Sequence, residues 1–223
     1  MAKDKLGGKR GSGKFERITM ADHERLIDES KKIWGENIEK QRGFVATSNS
    51  FTINNILRNL PEGTDVSKTD FGNGSWFNNN AIVQNMDQLT SKTIPGGKNM
   101  TVFRNVDYTW MQNALHITNP EMLLDKRLVG ETFTEKSFTC TSTVASENVF
   151  QHRPIHWEVE FPKNSRSFIP DNPGESEATL PRNSKFKILG AEKRGSHYVL
   201  KLRVIDTPDN SRGFSKEKGD KRW

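Results

Sequence analysis

The chain contains a single cysteine, Cys140, among 223 residues. It cannot close an intramolecular disulfide and has no cysteine cluster for a structural zinc site, so packing alone is expected to hold the fold, in a reducing compartment. No apolar run comes near the ~20 residues of a membrane span. The opening segment, Met1 to Gly13, is basic but has no apolar centre of the secretory-signal kind. A soluble protein with no membrane partner is expected. Metal-ligand patterning is missing as well. His152 and His156 have helical i, i+4 spacing, but Pro154 lies between them and a strand pattern follows, so they and His116 are not expected to form a metal site.

Hydrophobic residues make up 32% of the chain and charged residues 28%, with the apolar ones concentrated after position 100. The length suits one catalytic domain with an additional segment. With 34 Lys+Arg against 28 Asp+Glu, the net charge of +6 favours an anionic partner: a dinucleotide, an acidic protein face or a nucleic acid. Both ends of the chain are basic, with Lys3, Lys5, Lys9, Arg10 and Lys14 at one and Lys216, Lys218, Lys221 and Arg222 at the other.

Patterning divides the chain into a flexible basic arm over 1–16, a helical region over 17–98, a strand-rich core over 99–206 and a polar basic tail over 207–223. Thr19 and Asp22 form a capping-box-like helix start ahead of Leu26, Ile27, Ile33, Trp34 and Ile38 at helical spacing. A second helix is expected over Thr52 to Leu60, stopped by Pro61-Glu62-Gly63, and a third over Ala81 to Leu89 after a Gly/Asn/Ser-rich loop from Ser67 to Asn80. Asn119-Pro120 reads as the start of another helix running from Glu121 to Leu128. Strands are expected at Thr101 to Arg104, Phe138 to Ser142, Ile155 to Phe161, Glu177 to Leu180, Phe186 to Ala191 and Tyr198 to Asp206.

Four local features point to chemistry. In Gly174-Glu175-Ser176-Glu177, read as extended chain, the two carboxylates share one face roughly 7 Å apart, with Ser176 directed away. One carboxylate can stabilise the oxocarbenium character that develops when a leaving group departs from a sugar carbon, and the other can activate the attacking nucleophile. Taken alone, the same tripeptide fits a solvated strand edge. Arg104, following Val102-Phe103, offers a guanidinium fork for phosphate. The run Phe138-Thr139-Cys140-Thr141-Ser142 supplies small polar side chains that let a ligand approach and orient a neighbouring carboxylate. In Phe150-Gln151-His152-Arg153, an aromatic ring can cover a flat heterocycle while the arginine reaches a phosphate or carbonyl.

In that order, Arg104, then Cys140-Thr141-Ser142, then Phe150-x-x-Arg153, then Glu175-x-Glu177, the features resemble the Arg, Ser-Thr-Ser and Glu-x-Glu signature of the R-S-E class of mono-ADP-ribosyltransferases. The resemblance covers about residues 100 to 206, including Ile155 to Lys163 and Leu180-Pro181-Arg182. It implies an α+β fold of two packed, mostly antiparallel β-sheets with an N-terminal helical region, and makes 99–206 the catalytic core. It also implies NAD as substrate, bound by Arg104, Cys140, Thr141, Ser142, Phe150 and Arg153, with Phe168 to Gly174 as the substrate-recognition loop. Glu177 matches the catalytic glutamate and Glu175 the residue that activates the acceptor; a glutamate at the latter position is similar to arginine-specific members.

Two positions depart from the pattern. Cys140 stands where the family carries its first serine, which substitutes a weaker donor, and Asn105 stands where some toxin members carry a second arginine. Three functions stay open at this level: ADP-ribosylation of a protein arginine, the leading reading; ADP-ribosylation of a nucleic acid, which the basic ends would favour; and a weakly active NAD-binding or structural module. The expected place of action is cytoplasmic, after delivery as a toxin or a phage-borne effector.

Overall fold

The computed structural model describes residues 14–41, 44, 49–72, 78–94, 97–172 and 174–213. Most of the basic arm, the Pro95-Gly96 pair and the four basic residues of the C-terminal end lie outside the described residues.

The expected first helix is α1, Met20–Trp34. Thr19 caps it and Asp22 reciprocates, satisfying two otherwise orphaned amides. Its buried face carries His23, Leu26 and Ser30, and Gly35, at φ 51°, ends it. Ile38 falls beyond this end, in a 3-10 turn over Gly35–Gln41. Helices α2, Asn49–Asn59, and α3, Asn79–Leu89, begin two to three residues before the sequence pattern predicts. For α3 the reason is Asn78, whose side chain accepts from the amides of Asn80 and Ala81 and so sets the start.

Among the described residues seven strands follow: β1 Met100–Val106, β2 Thr132–Glu135, β3 Thr139–Ser142, β4 Ile155–Phe161, β5 Glu177–Leu180, β6 Ser184–Arg194 and β7 His197–Asp206. They form one hydrogen-bonded array in the order β2-β6-β7-β4-β1-β3-β5. Every pairing is antiparallel except β4 with β7. The two sheets implied by the resemblance are thus joined, and the junction is narrow: β1 meets β3 through the single register pair Phe103↔Ser142. β4 lies between β1 and β7 and buries Ile155, Trp157, Val159 and Phe161 at alternate positions.

Two elements differ from expectation. The Glu121 to Leu128 helix is replaced by two 3-10 turns, Pro120–Leu124 and Lys126–Leu128. Asp125 separates them; it is extended and accepts from the Arg127 amide, which restarts the chain as a new turn. A fourth helix, α4, Tyr108–Leu115, and strand β2 have no counterpart in the sequence reading. The inward residues of β2 are Phe133 and Glu135, and a buried carboxylate hides the alternation of apolar residues that marks a strand.

Apolar side chains of the described residues gather into two clusters. The larger one centres on Trp157 and receives Leu26 of α1. The smaller packs Ile53 and Leu57 of α2 and Val83, Met86 and Leu89 of α3 against Phe138 and Phe168. Polar ties also fasten the helices to the strand-rich body. Asn54 accepts from the Phe138 amide at 3.1 Å, Arg58 pairs with Glu135 at 3.2 Å, and Asp87 takes a bidentate pair from Arg182 at 2.9–3.1 Å. Beyond β7, Thr207 receives the Arg166 amide on its hydroxyl and the Arg166 guanidinium on its carbonyl, which keeps the start of the final segment on the body.

Candidate active site

A cleft of about 550 Å³ opens where α2, the end of β1, β3 and the start of β5 converge. That volume is typical of sites for small organic ligands. Its walls carry Phe51, Asn54 and Arg58 from α2, Arg104 and Asn105 from β1, Cys140, Thr141 and Ser142 from β3, Phe150 and Arg153 from the following turn, and Glu175 and Glu177. Every residue proposed for the site from sequence therefore lines one cavity.

Glu177 is the first residue of β5 and is only 5% exposed. Its register partner is Ser142. The Thr179 hydroxyl donates to its carboxylate at 2.6 Å, and the Cys140 thiol is a second hydrogen-bonding neighbour. Burial pushes its pKa above the ordinary carboxylate value, against the pull of these donors. The Cys140 thiol is raised well above its ordinary value, by burial first and then by the Glu177 charge, so it remains protonated and able to donate.

The Glu-Ser-Glu segment is not the continuous extended strand read from sequence. Gly174 and Ser176 have φ of 90° and 43°, so the chain turns immediately before β5. Glu175 consequently stands exposed on the turn, receiving the Asn172 amide at 3.2 Å, while Glu177 points into the buried end of the cleft. The two carboxylates thus sit in different environments rather than as an equivalent pair. Phe168 and Thr179 close the base of the loop with reciprocal backbone bonds of 2.9 and 2.8 Å.

The hydroxyls of Thr141 and Ser142 also act differently from the expectation that they orient a carboxylate. Thr141 donates to the Ala178 carbonyl at 2.8 Å, and the Ser142 hydroxyl faces the carbonyls of Val144 and Glu175 at 2.8 and 3.2 Å. They pin backbone, and Thr179 and Cys140 hold the carboxylate instead.

Arg104 is half-buried beneath the cleft, with Nη1 donating to the Cys140 carbonyl at 2.6 Å and its guanidinium 5.9 Å from the Trp157 ring centroid. Its Nε and the Oδ1 of neighbouring Asn105 are buried without a partner among the described residues. Unsatisfied polar atoms of this kind in a cavity wall suit a polar ligand. Burial holds the Arg104 pKa below its usual range, yet a guanidinium stays charged at any working pH.

Phe150 adopts φ 58°, an unusual backbone state for an aromatic residue, in a turn closed by the Arg153 amide on its carbonyl at 3.0 Å. The Arg153 guanidinium lies 4.1 Å from the Phe150 ring centroid, and Phe51 meets the same ring edge-on at 6.4 Å from across the cleft. Arg153 is held by the Asn105 carbonyl at 3.1 Å and Asp107 at 3.3 Å. His156 stacks on His197 with centroids 4.3 Å apart and turns Nε2 toward the carbonyls of Gln151 and Arg153.

Sequence reading missed Asn54, Arg58, Phe51 and Thr179. Asn54 and Arg58 are four residues apart on α2, the spacing that puts two side chains on one helical face, and Thr179 shares a strand face with Glu177. Those periodicities were the available signals.

The family model for ADP-ribosyltransferase exoenzymes matches residues 46–211. No curated protein gives a significant sequence match. Among solved structures, the chain is similar to C3stau2 from S. aureus, solved with NAD, at TM-score 0.66 and 16% identity over 87% of this chain and 100% of that one. It is similar also to Plx2a, an ADP-ribosyltransferase toxin from Paenibacillus larvae, at TM-score 0.60 and 22% identity over 86% and 100%. The Clostridium limosum C3 exoenzyme gives TM-score 0.61 and 18% identity over 87% and 98%. Identities this low establish shared fold, and the family match, spanning well over half of the chain and including every site residue, adds the chemistry. The chain belongs to the ADP-ribosyltransferase exoenzyme family and is an NAD-dependent mono-ADP-ribosyltransferase.

Proposed function

We propose that this enzyme transfers ADP-ribose from NAD to the guanidinium of a protein arginine. The observation that carries the reading is the unequal pair at one cleft: a buried, hydrogen-bonded Glu177 and an exposed Glu175 at the rim. Glu177 engages the nicotinamide ribose and stabilises the oxocarbenium ion as the C–N bond to nicotinamide breaks, its electrons leaving with the nicotinamide. Arg104, Arg153 and Arg58 offer cationic contacts for the diphosphate. Phe150 covers the nicotinamide, and Cys140, Thr141 and Ser142 shape the pocket around it. Glu175 faces the solvent side, pairs with the incoming guanidinium and takes its proton as the nitrogen bonds to the ribose carbon. The place of action is the cytoplasm of a target cell, in keeping with a toxin family.

The test is incubation of the purified chain with labelled NAD and a whole-cell lysate, beside Glu177→Gln, with products split into nuclease-treated and protease-treated portions. Label that survives nuclease but not protease, maps to arginine and is absent with the variant supports the proposal. Label that survives only protease moves the acceptor to nucleic acid, and label on another residue type overturns the arginine assignment.

A further inference from the structure

Ser176, between the two glutamates, is 2% exposed and is held at φ 43°, a backbone state that a serine does not adopt without support. The support is specific. Its carbonyl accepts two bonds from one residue, from the Thr143 amide at 2.8 Å and the Thr143 hydroxyl at 3.0 Å. The Thr143 oxygen in turn lies 2.8 Å from Nδ1 of His23 on α1. Both side chains are buried, at 0% and 2% exposure. A threonine hydroxyl has one proton; given to Ser176, it leaves the oxygen as an acceptor, so Nδ1 of His23 must carry hydrogen and donate. The hydrogen bonds from His23 to Thr143 and from Thr143 to Ser176 then all run in one direction. Burial lowers the His23 pKa, which keeps the ring neutral and this tautomer available.

Helix α1 braces the same loop at three more points. Ser176 Oγ faces Met20 Sδ at 3.5 Å, Leu26 and Ile169 share the larger core cluster, and Lys31 pairs with Asp171 at 2.6 Å. Neither His23 nor Thr143 lines the cleft.

We infer that His23 is a positioning residue for the acceptor side of the reaction, fixing through Thr143 the peptide between Ser176 and Glu177, and with it the turn that presents Glu175 at the rim. The consequence is selective, because the Glu177 carboxylate is held by Thr179 within a paired strand, whereas Glu175 sits on the turn itself, with only the Ser142 hydroxyl on its carbonyl and the loop's own Asn172 amide on its carboxylate among the described residues. Losing the brace displaces Glu175 more than Glu177. The inference rests on the proposed division of roles between these two carboxylates.

The experiment uses the full chain and compares His23→Leu, His23→Asn and Thr143→Val with wild type, measuring free ADP-ribose released from NAD and ADP-ribose joined to lysate protein. His23→Leu is expected to lower turnover to acceptor about tenfold or more while NAD hydrolysis stays within about threefold, since small misplacements outside the reacting groups carry losses of this order. His23→Asn, whose amide nitrogen can replace the Nδ1 donor, is expected to recover most of the transfer. Equal losses of both activities, no loss of either, or failure of His23→Asn to recover transfer would overturn the inference. If His23→Leu does not fold by circular dichroism, Thr143→Val decides on the same ratio. Wild type that labels protein at a residue other than arginine sinks the arginine reading alone, because the His23 comparison is then made on that acceptor.

Discussion

The Thr179 hydroxyl lies 2.6 Å from a carboxylate oxygen of Glu177, two residues back on the same strand face. Glu175, two residues further back, lies beyond a left-handed serine, where its carbonyl faces the Ser142 hydroxyl and its carboxylate receives the Asn172 amide of the same loop. One glutamate is thus locked at the buried end of the cleft and the other carried on a turn.

Unequal anchoring predicts unequal mutant phenotypes. Glu177→Gln removes the charge that faces the developing cation, and transfer and NAD hydrolysis should both fall on the order of 10²–10³-fold. Glu175→Gln should abolish transfer to arginine but leave a substantial part of the hydrolysis, because water needs no guanidinium to be deprotonated. Parallel assays of free and protein-bound label make the comparison; equal mild losses would mean the roles are misassigned.

The raised pKa of Glu177 also couples function to stability. In the unfolded chain the carboxyl titrates near the ordinary 4.5, and in the folded chain it titrates higher because of burial. Below the ordinary value it is neutral in both states and costs nothing; as pH rises through the folded pKa, a charge must be held in the buried site and stability is lost. Glu177→Gln, which cannot ionise, should therefore raise Tm at about pH 8 and leave it nearly unchanged at about pH 4. Thermal scans at the two pH values check the sign, and a Tm that falls at the higher pH would show that the charge is stabilising.

How far these features could be read from sequence follows the range of the interactions behind them. The Thr19 capping box, the alternation of β4 and the order of Arg104, Cys140, Phe150 and Glu177 are written in neighbouring or regularly spaced residues, and each is found where it was read. The sequence predicts extended chain through Ser176, because the contacts that hold the turn come from Thr143, 33 residues away, and behind it from His23 on the first helix. Arg58 was overlooked because it reaches the cleft only once α2 docks, through Asn54 on the Phe138 amide and through its own pair with Glu135. The paired 3-10 turns at 120–128 turn on the side chain of Asp125, a local competitor that hydrophobic periodicity does not register.

Cys140 should tolerate the family's serine. Its thiol sits beside Glu177 and stays protonated, so it serves as a weak donor rather than a nucleophile. Cys140→Ser supplies a stronger donor to the ionised carboxylate, and the acid limb of the pH–activity profile should move to lower pH with turnover equal or higher. Measuring NAD hydrolysis across that limb tests it. Complete inactivation would show that the thiol has a task of its own.

The pair of Asp87 with Arg182 joins helix α3 to the residue two positions beyond β5, the strand that carries Glu177. Asp87 is fully buried and Arg182 is 8% exposed. Burial first, and the Asp209 charge after it, push Asp87 up to about 7 despite the opposing pull of Arg182, so the charge depends on its partner. Asp87→Ala leaves a buried guanidinium without its counter-charge and should cost about 3–5 kcal/mol. For a chain of this size that corresponds to a Tm lower by roughly 6–20 °C. The double variant Asp87→Leu with Arg182→Met removes both charges and keeps the apolar volume, so it should recover much of the loss. Denaturant midpoints for the three proteins decide between two accounts. If the double variant is as unstable as Asp87→Ala, the ion pair holds the helices to the strands through its geometry, and its removal should also disturb the start of β5 and the activity that depends on Glu177.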